Sequence, residues 1–300
     1  MSITDYSPLL PNLVPQHLLS RSLGILANCR IIWLKNALID SFVHYYQVDM
    51  HEAADANPHH YVNFNDFFTR ALKPGVRSIV QQANTLACPV DGTISQMGKI
   101  TDGRIFQAKG FDFTTLELLG NDRELAAQFA DGNFATVYLA PRDYHRIHMP
   151  ITGRLRQMIF IPGKLFSVNA KSAGSVPRLF ARNERVVCIF DTAVGPMAII
   201  LVGALIVASI HTTWAGAVKG RAIQKWQYTD EKALLLQQGQ QMGHFQLGST
   251  VIMLFAKDKI AWLDSLFENT PVRLGQNIGK FVSADANPSL NNNLRDMVVA

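Results

Sequence analysis

From Ile31 to Tyr46 apolar residues recur at spacings of three and four. Ile31, Leu34, Leu38, Phe42 and Tyr45 form one line, and Ile32, Ile39, Val43 and Tyr46 widen it. The spacing predicts a helix with a broad apolar face. Upstream, Leu9, Leu10, Leu13, Val14, Leu18, Leu19 and Leu23 are interrupted by Pro8, Pro11 and Pro15, which predicts short broken helices. Helices of this kind either lie in a membrane interface or cover the core of a neighbouring domain. From about residue 84 the pattern changes to short apolar runs separated by Gly, Pro and Asp. Asp91-Gly92 and Asp102-Gly103 read as turn dipeptides between such runs, predicting antiparallel hairpins. "TTLELLGNDRELAAQFA" predicts a helix inside this region, and "TDEKALLLQQGQ" a second. The fold class is α+β. N-terminal amphipathic helices (1–60) precede a β-rich domain with mostly antiparallel sheets (61–282), and a polar, Asn-rich tail (283–300) is expected to be flexible.

The most apolar segment, Gly195 to Val218, is uninterrupted only from Met197 to Ile210, short of the roughly 20 residues that span a bilayer. Its Ile and Val content and its break at Gly203 predict two buried strands meeting near that glycine.

Composition narrows the class. With 300 residues, 48% hydrophobic and 17% charged, the chain has enough apolar material for a substantial core, and disorder is not the default. The net charge of +5 suits either a nucleic acid or an anionic membrane. No Lys/Arg run interleaves with aromatics, so a nucleic-acid partner is not expected and a membrane surface is favoured. Cys29, Cys88 and Cys188 lie far apart, with neither a CxxC pair nor a disulfide framework, which points to a reducing compartment. Residues 1–30 lack the pattern of a secretory signal.

Candidate chemistry is sparse. There is no GxSxG elbow, no phosphate-binding GxxxxGK[ST] loop, and His51-Glu52 begins an HExxH that Asp55 ends. "YLAPRDYHRIHMP" places His145 and His148 three residues apart after an apolar strand. The pair is compatible with a metal site, although no third ligand is evident, or with a general base. A base of that kind needs an orienting carboxylate. Asp91 of "PVDGT" is a candidate, and equally an ordinary turn residue. Ser249, in "LGSTVIMLF", is either a nucleophile or the first residue of a strand after Gly248.

Taken together, "FNDFFTRALKPG", "CPVDGTI", "YLAPRDYHRIHMP", "PGKLFSVN", "LFARNERVV" and "MGHFQLGSTVIMLF" resemble, in this order, the bacterial phosphatidylserine decarboxylase proenzymes. The resemblance runs from about residue 60 to 260 and weakly through the N-terminal helices. Gln241 and His244 depart from the family pattern, which leaves the local charge near the cleavage loop open.

The resemblance implies a self-processing enzyme. The Ser249 hydroxyl attacks the carbonyl of Gly248, and β-elimination splits the resulting ester. The products are a β chain of 1–248 and an α chain of 249–300 that begins with a covalent pyruvoyl cofactor made from Ser249. Asp91, His148 and Ser249 form the self-cleavage triad, with His148 as base and Asp91 as its orienter. The pyruvoyl ketone takes phosphatidylserine as a Schiff base and releases CO2 to give phosphatidylethanolamine. His145 is the candidate for contacting the substrate carboxylate or supplying a proton, and Ser167 and Asn169 for lining the pocket; no metal is implied. The implied partners are an anionic phospholipid membrane, with the enzyme peripheral on the cytoplasmic face of the cell membrane, and the associated β and α chains, as one unit or as a homodimer of it. Three rivals remain: a membrane serine hydrolase using the same triad, a non-catalytic binding module, and a pyruvoyl decarboxylase of a soluble amino acid.

Overall fold

The computed structural model describes residues 23–204, 210–229, 234–246 and 249–282. The predicted tail, the broken helices before residue 23 and the Gly248 carbonyl lie outside these residues. At the centre stands a sheet whose strands run, edge to edge, Gln224–Gln227, Gly153–Ile161, Arg185–Thr192, Gly195–Gly203, Ser249–Phe255, Asn133–Leu139, Gly92–Lys99 and Pro271–Val272; Leu235–Leu236 also pairs with Gly153–Ile161. The pairings are antiparallel.

The middle strands are buried on both faces, which is why they read as continuous apolar runs instead of alternating ones. All of Ser249–Phe255 is buried. Strand parity divides the core in two. Val251, Met253 and Phe255 join Leu201, Val186, Val137 and Leu139 on one face. Ile252 and Leu254 join Val202, Val187 and Phe134 on the other, under Leu118, Leu125 and Phe180 from the short helices Thr115–Leu118, Arg123–Ala127 and Leu179–Arg182. The first face is covered by a smaller antiparallel sheet ordered Gly216–Val218, Ile210–Thr212, Gln241–Phe245, Arg146–His148. Its Ile147, Ile210, Val218, Met242 and Phe245 complete that half of the core.

The expected N-terminal helix forms at Ile32–Tyr46. Its Leu38, Ile39, Phe42, Val43 and Tyr46 pack on Tyr61, Phe64, Phe67 and Phe68, so much of the broad apolar face covers protein. Lys35, which interrupts that face, is buried and donates to the carbonyls of His59 (2.6 Å) and Tyr61 (2.7 Å). At the start of the helix Ile31, Ile32 and Trp33 remain exposed, as does the nearby Ile25.

Two local expectations change. Asp102-Gly103 is a hairpin turn with both residues at positive φ, but Asp91-Gly92 is not: Asp91 is buried and Gly92 opens the strand next to one edge of the large sheet. Gly92 is required by close approach, since a Cβ there would stand 2.3 Å from the Tyr138 carbonyl oxygen. Gly92→Ala should therefore destabilise the fold by about 1–3 kcal/mol, as overpacking does, read as a lower denaturation midpoint. The helix expected at "TDEKALLLQQGQ" is a short strand at Leu235–Leu236, with residues 230–233 outside the described set. Leu235 and Leu236 pair with Arg154 and Gly153, and that tertiary pairing overrides the local helical pattern. The Gly195–Val218 segment forms three strands where two buried ones were expected: Gly195–Gly203 is a buried strand ending at that glycine, as expected, whereas Ile210–Thr212 and the mostly exposed Gly216–Val218 belong to the smaller sheet.

Candidate active site

Ser249 is the first residue of a central strand, hydrogen-bonded on both sides, opposite Leu139 and Gly203. It is fully buried, and its Oγ has no hydrogen-bond partner among the described residues; nor has Thr250 Oγ1 beside it. A buried hydroxyl without a partner is costly, and such groups cluster where function requires them.

The strand leading toward Ser249 lies along the histidine strand. Gln241 is opposite His148, His244 opposite Arg146, and the Phe245 N–H donates to the His145 carbonyl at 3.1 Å. Both histidines of the predicted pair thus flank the segment just upstream of Ser249. Gln241 accepts from Arg146 at 3.1 Å, and His244 stacks on His211 with ring centroids 4.6 Å apart. Burial pushes His244 down to about 4, and the neighbouring His211 adds to the shift.

His148 is oriented by backbone. Its Nδ1 lies 2.8 Å from the Gly239 carbonyl, to which only an N–H can donate, so Nε2 carries the lone pair; Tyr144 Oη donates to it at 3.1 Å. Burial holds its pKa below the ordinary histidine value, against the effect of the Gly239 bond. His148 is therefore a neutral base at pH 7. His145 has the same tautomer, set by the Asp143 carbonyl at 2.8 Å. Its Nε2 is buried without a partner among the described residues, its ring lies 4.2 Å from that of Phe68, and burial lowers its pKa to about 3. Arg70, whose charge also depresses His145, is buried with Nε and Nη1 unpartnered among the described residues.

Asp91 is held elsewhere. Its carboxylate accepts from Arg77 Nε (3.0 Å) and Nη2, and from the Leu274 N–H (2.8 Å). Arg77 also binds Glu52, which accepts in turn from Arg273. No hydrogen bond joins Asp91 to His148 among the described residues, although its charge acts on the histidine. Arg77→Ala, which leaves the buried Asp91 with a single donor, should cost about 3–5 kcal/mol in chemical denaturation, whereas Arg273→Ala at the exposed end should cost under about 1 kcal/mol.

Asn169 caps the short helix Ala170–Ala173 through the Ser172 N–H at 2.9 Å, and Ser167 is half-buried between Phe166 and Val168. Sequence reasoning missed Arg70, Arg77 and Gly239, and quoted Tyr144 without assigning it. Arg70 and Tyr144 lie inside the quoted blocks, whereas a carbonyl such as that of Gly239 leaves no trace in residue type. No group of His, Cys, Asp and Glu among the described residues is arranged to hold a metal.

A buried serine heading a central strand, with two neutral histidines along the segment that leads toward it, suits acyl-transfer chemistry within the chain. A family model described as phosphatidylserine decarboxylase matches residues 64–280, and a second, described as PSD, matches residues 9–47. The phosphatidylserine decarboxylase proenzyme of Bordetella avium is 55% identical over 269 residues, covering 89% of this chain and 92% of that protein. That of Azotobacter vinelandii is 53% identical over 273 residues (90% and 96%), and one from Pseudomonas aeruginosa 55% over 269 (88% and 93%). This chain belongs to the phosphatidylserine decarboxylase family.

Proposed function

We infer that the chain is the proenzyme of a phosphatidylserine decarboxylase, converting phosphatidylserine to phosphatidylethanolamine with a pyruvoyl group derived from one of its own serines. Ser249 is the serine we assign, and the single observation that carries the assignment is its buried Oγ, without a partner among the described residues, at the head of a strand paired on both sides. That position fits the group: it is sheltered from water, and the new chain end stays clamped in the sheet. A cut before Ser249 leaves the α chain supplying the fifth strand of the path, Ser249–Phe255, and the edge strand Pro271–Val272, so β and α chains remain one folded unit.

Our proposal for the residues follows their geometry. The Nε2 lone pair of His148 takes the Ser249 hydroxyl proton, freeing the oxygen to attack the Gly248 carbonyl. Gly239 fixes the tautomer. Asp91, clamped by Arg77, contributes negative potential that favours the protonated imidazole once it forms. When present, the pyruvoyl ketone supplies an electron sink for the bond that releases CO2. His145 offers a buried Nε2, and the neighbouring Arg70 unmet donors, to an anionic headgroup; a carboxylate brought there raises the pKa of His145 and equips it to hold a proton. Ser167 and Asn169 line the approach.

Among the described residues no helix is long and apolar enough to cross a membrane. The enzyme is membrane-associated in our proposal through residues 1–60, with 61–282 as the catalytic unit, peripheral on the cytoplasmic face and drawn to anionic lipid by the net positive charge. The exposed Ile25, Ile31, Ile32 and Trp33 support this. The test is release of labelled CO2 from carboxyl-labelled phosphatidylserine in mixed micelles, before and after treatment with phenylhydrazine. Release abolished by the ketone reagent is expected; release that survives it, or fatty acid in place of CO2, would favour another chemistry.

A further inference from the structure

One ionisable group beside Ser249 has no part in the steps above. Glu184 stands in the same row of the central sheet: Gly203 pairs with Ser249 on one side, and on the other its N–H donates to the Glu184 carbonyl at 2.9 Å. Side chains in one row of a sheet share a face. Parity confirms the face, because Val251, Leu201 and Val186, each two residues from Ser249, Gly203 and Glu184, lie in the same half of the core. The residue between the two in that row is therefore a glycine, which puts no side chain of its own between them. A Cβ at Gly203 would meet the Glu184 carbonyl oxygen at 3.3 Å and the tips of Ile210 and Leu165 at 4.0 Å. The carboxylate of Glu184 makes no hydrogen bond to the described residues, and the residue is half-buried.

We propose that Glu184 is the base that removes the Ser249 α-proton in the elimination that separates the two chains. This rests on the self-processing described above. After the Ser249 oxygen has become an ester of Gly248, the α-proton passes to the Glu184 carboxylate. The Cα–H pair becomes the Cα=Cβ double bond, the Cβ–Oγ bond breaks, and its electrons leave on the Gly248 carboxylate. Glu184 is left as a neutral acid. The strands put the Ser249 and Glu184 backbones about 9–10 Å apart, two strand spacings, and a glutamate leaning over a bare glycine closes that gap directly or through one water.

The other candidates fit less well. His148 has already taken the hydroxyl proton, His145 at about 3 is too weak a base, and Tyr138 points into the opposite half of the core. Burial raises Glu184 to about 7, with Lys219 opposing, which suits a group that must accept a proton near neutrality.

Hydroxylamine cleaves esters and not amides, so it separates the two steps. Purified Glu184→Gln chain, followed by intact mass at neutral pH, should split itself about 10²–10⁴-fold more slowly than wild type. Hydroxylamine should still cut it before Ser249 and leave an unmodified serine end, since the ester forms. His148→Ala chain should resist both, and Glu184→Asp should recover at least part of the self-cleavage. Gly203→Ala, which places a methyl between the two side chains, should behave like Glu184→Gln. Self-cleavage of Glu184→Gln within a few-fold of wild type overturns the proposal, as does resistance to hydroxylamine equal to that of His148→Ala. A wild-type chain that never splits would instead remove the self-processing on which the proposal stands.

Discussion

Ser249→Ala should yield a single uncut chain with no decarboxylase activity and a raised melting temperature. Loss of activity follows because alanine has no oxygen to attack the Gly248 carbonyl and cannot become a pyruvoyl group. The gain in stability follows from the wild-type hydroxyl, which is buried at the head of a central strand without a hydrogen-bond partner among the described residues. Leaving such a group unpaired costs about 1–3 kcal/mol, which the methyl of alanine does not incur. For a chain of this size that corresponds to roughly 2–4 °C per kcal/mol. The proper reference is the uncut His148→Ala chain, since cleavage alters the melt by itself. A Ser249→Ala chain melting well below that reference would show that the hydroxyl is satisfied in the protein, contrary to the structure.

His148→Ala should slow self-cleavage by about 10²–10⁴-fold, the usual contribution of a positioned general base. The ring is held through Nδ1 by the Gly239 carbonyl, so its removal takes away a pre-oriented lone pair. Tyr144→Phe is the control: it deletes the donor to Nε2 and should leave cleavage within about tenfold of wild type. The pH dependence has a defined sign. Burial depresses the His148 pKa below the ordinary 6.5, so the neutral, active form predominates at pH 7 and above. Cleavage should be flat across neutral pH and fall on acidification, as the imidazole is protonated through its lowered pKa. Measured by intact mass after adjusting the pH of freshly made precursor, a rate that rises on acidification would exclude His148 as the base.

Much of the architecture was legible in the pattern of apolar residues. The helix at Ile32–Tyr46 and the strands that part after Gly203 depend on local periodicity and local breaks, which the chain displays directly. "TDEKALLLQQGQ" misled because Leu235 and Leu236 are claimed by Gly153–Ile161, a partner about eighty residues away. Asp91 was misread for a related reason. As a dipeptide, Asp-Gly signals a turn, but here the aspartate is taken up by Arg77 and the Leu274 N–H, and the glycine is required by the Tyr138 carbonyl. At the site, the residue types that do chemistry were visible in ordered blocks. Their orientation was not, because Gly239 and Asp143 act through carbonyls and Glu184 falls in the row of Ser249 only by virtue of sheet register. Whether a charged residue is structural or reactive depends on which neighbours the fold gives it, and these neighbours come from strands far apart in sequence.

The central claim is that this protein makes its own cofactor at position 249, and an intact-mass spectrum of the purified protein under denaturing conditions tests it most directly. Two chains are expected, residues 1–248 and 249–300, the smaller one ammonia lighter than a serine-ended peptide and resistant to stepwise N-terminal degradation. A single chain of 33.3 kDa retaining Ser249 after incubation of the folded protein at neutral pH would contradict it.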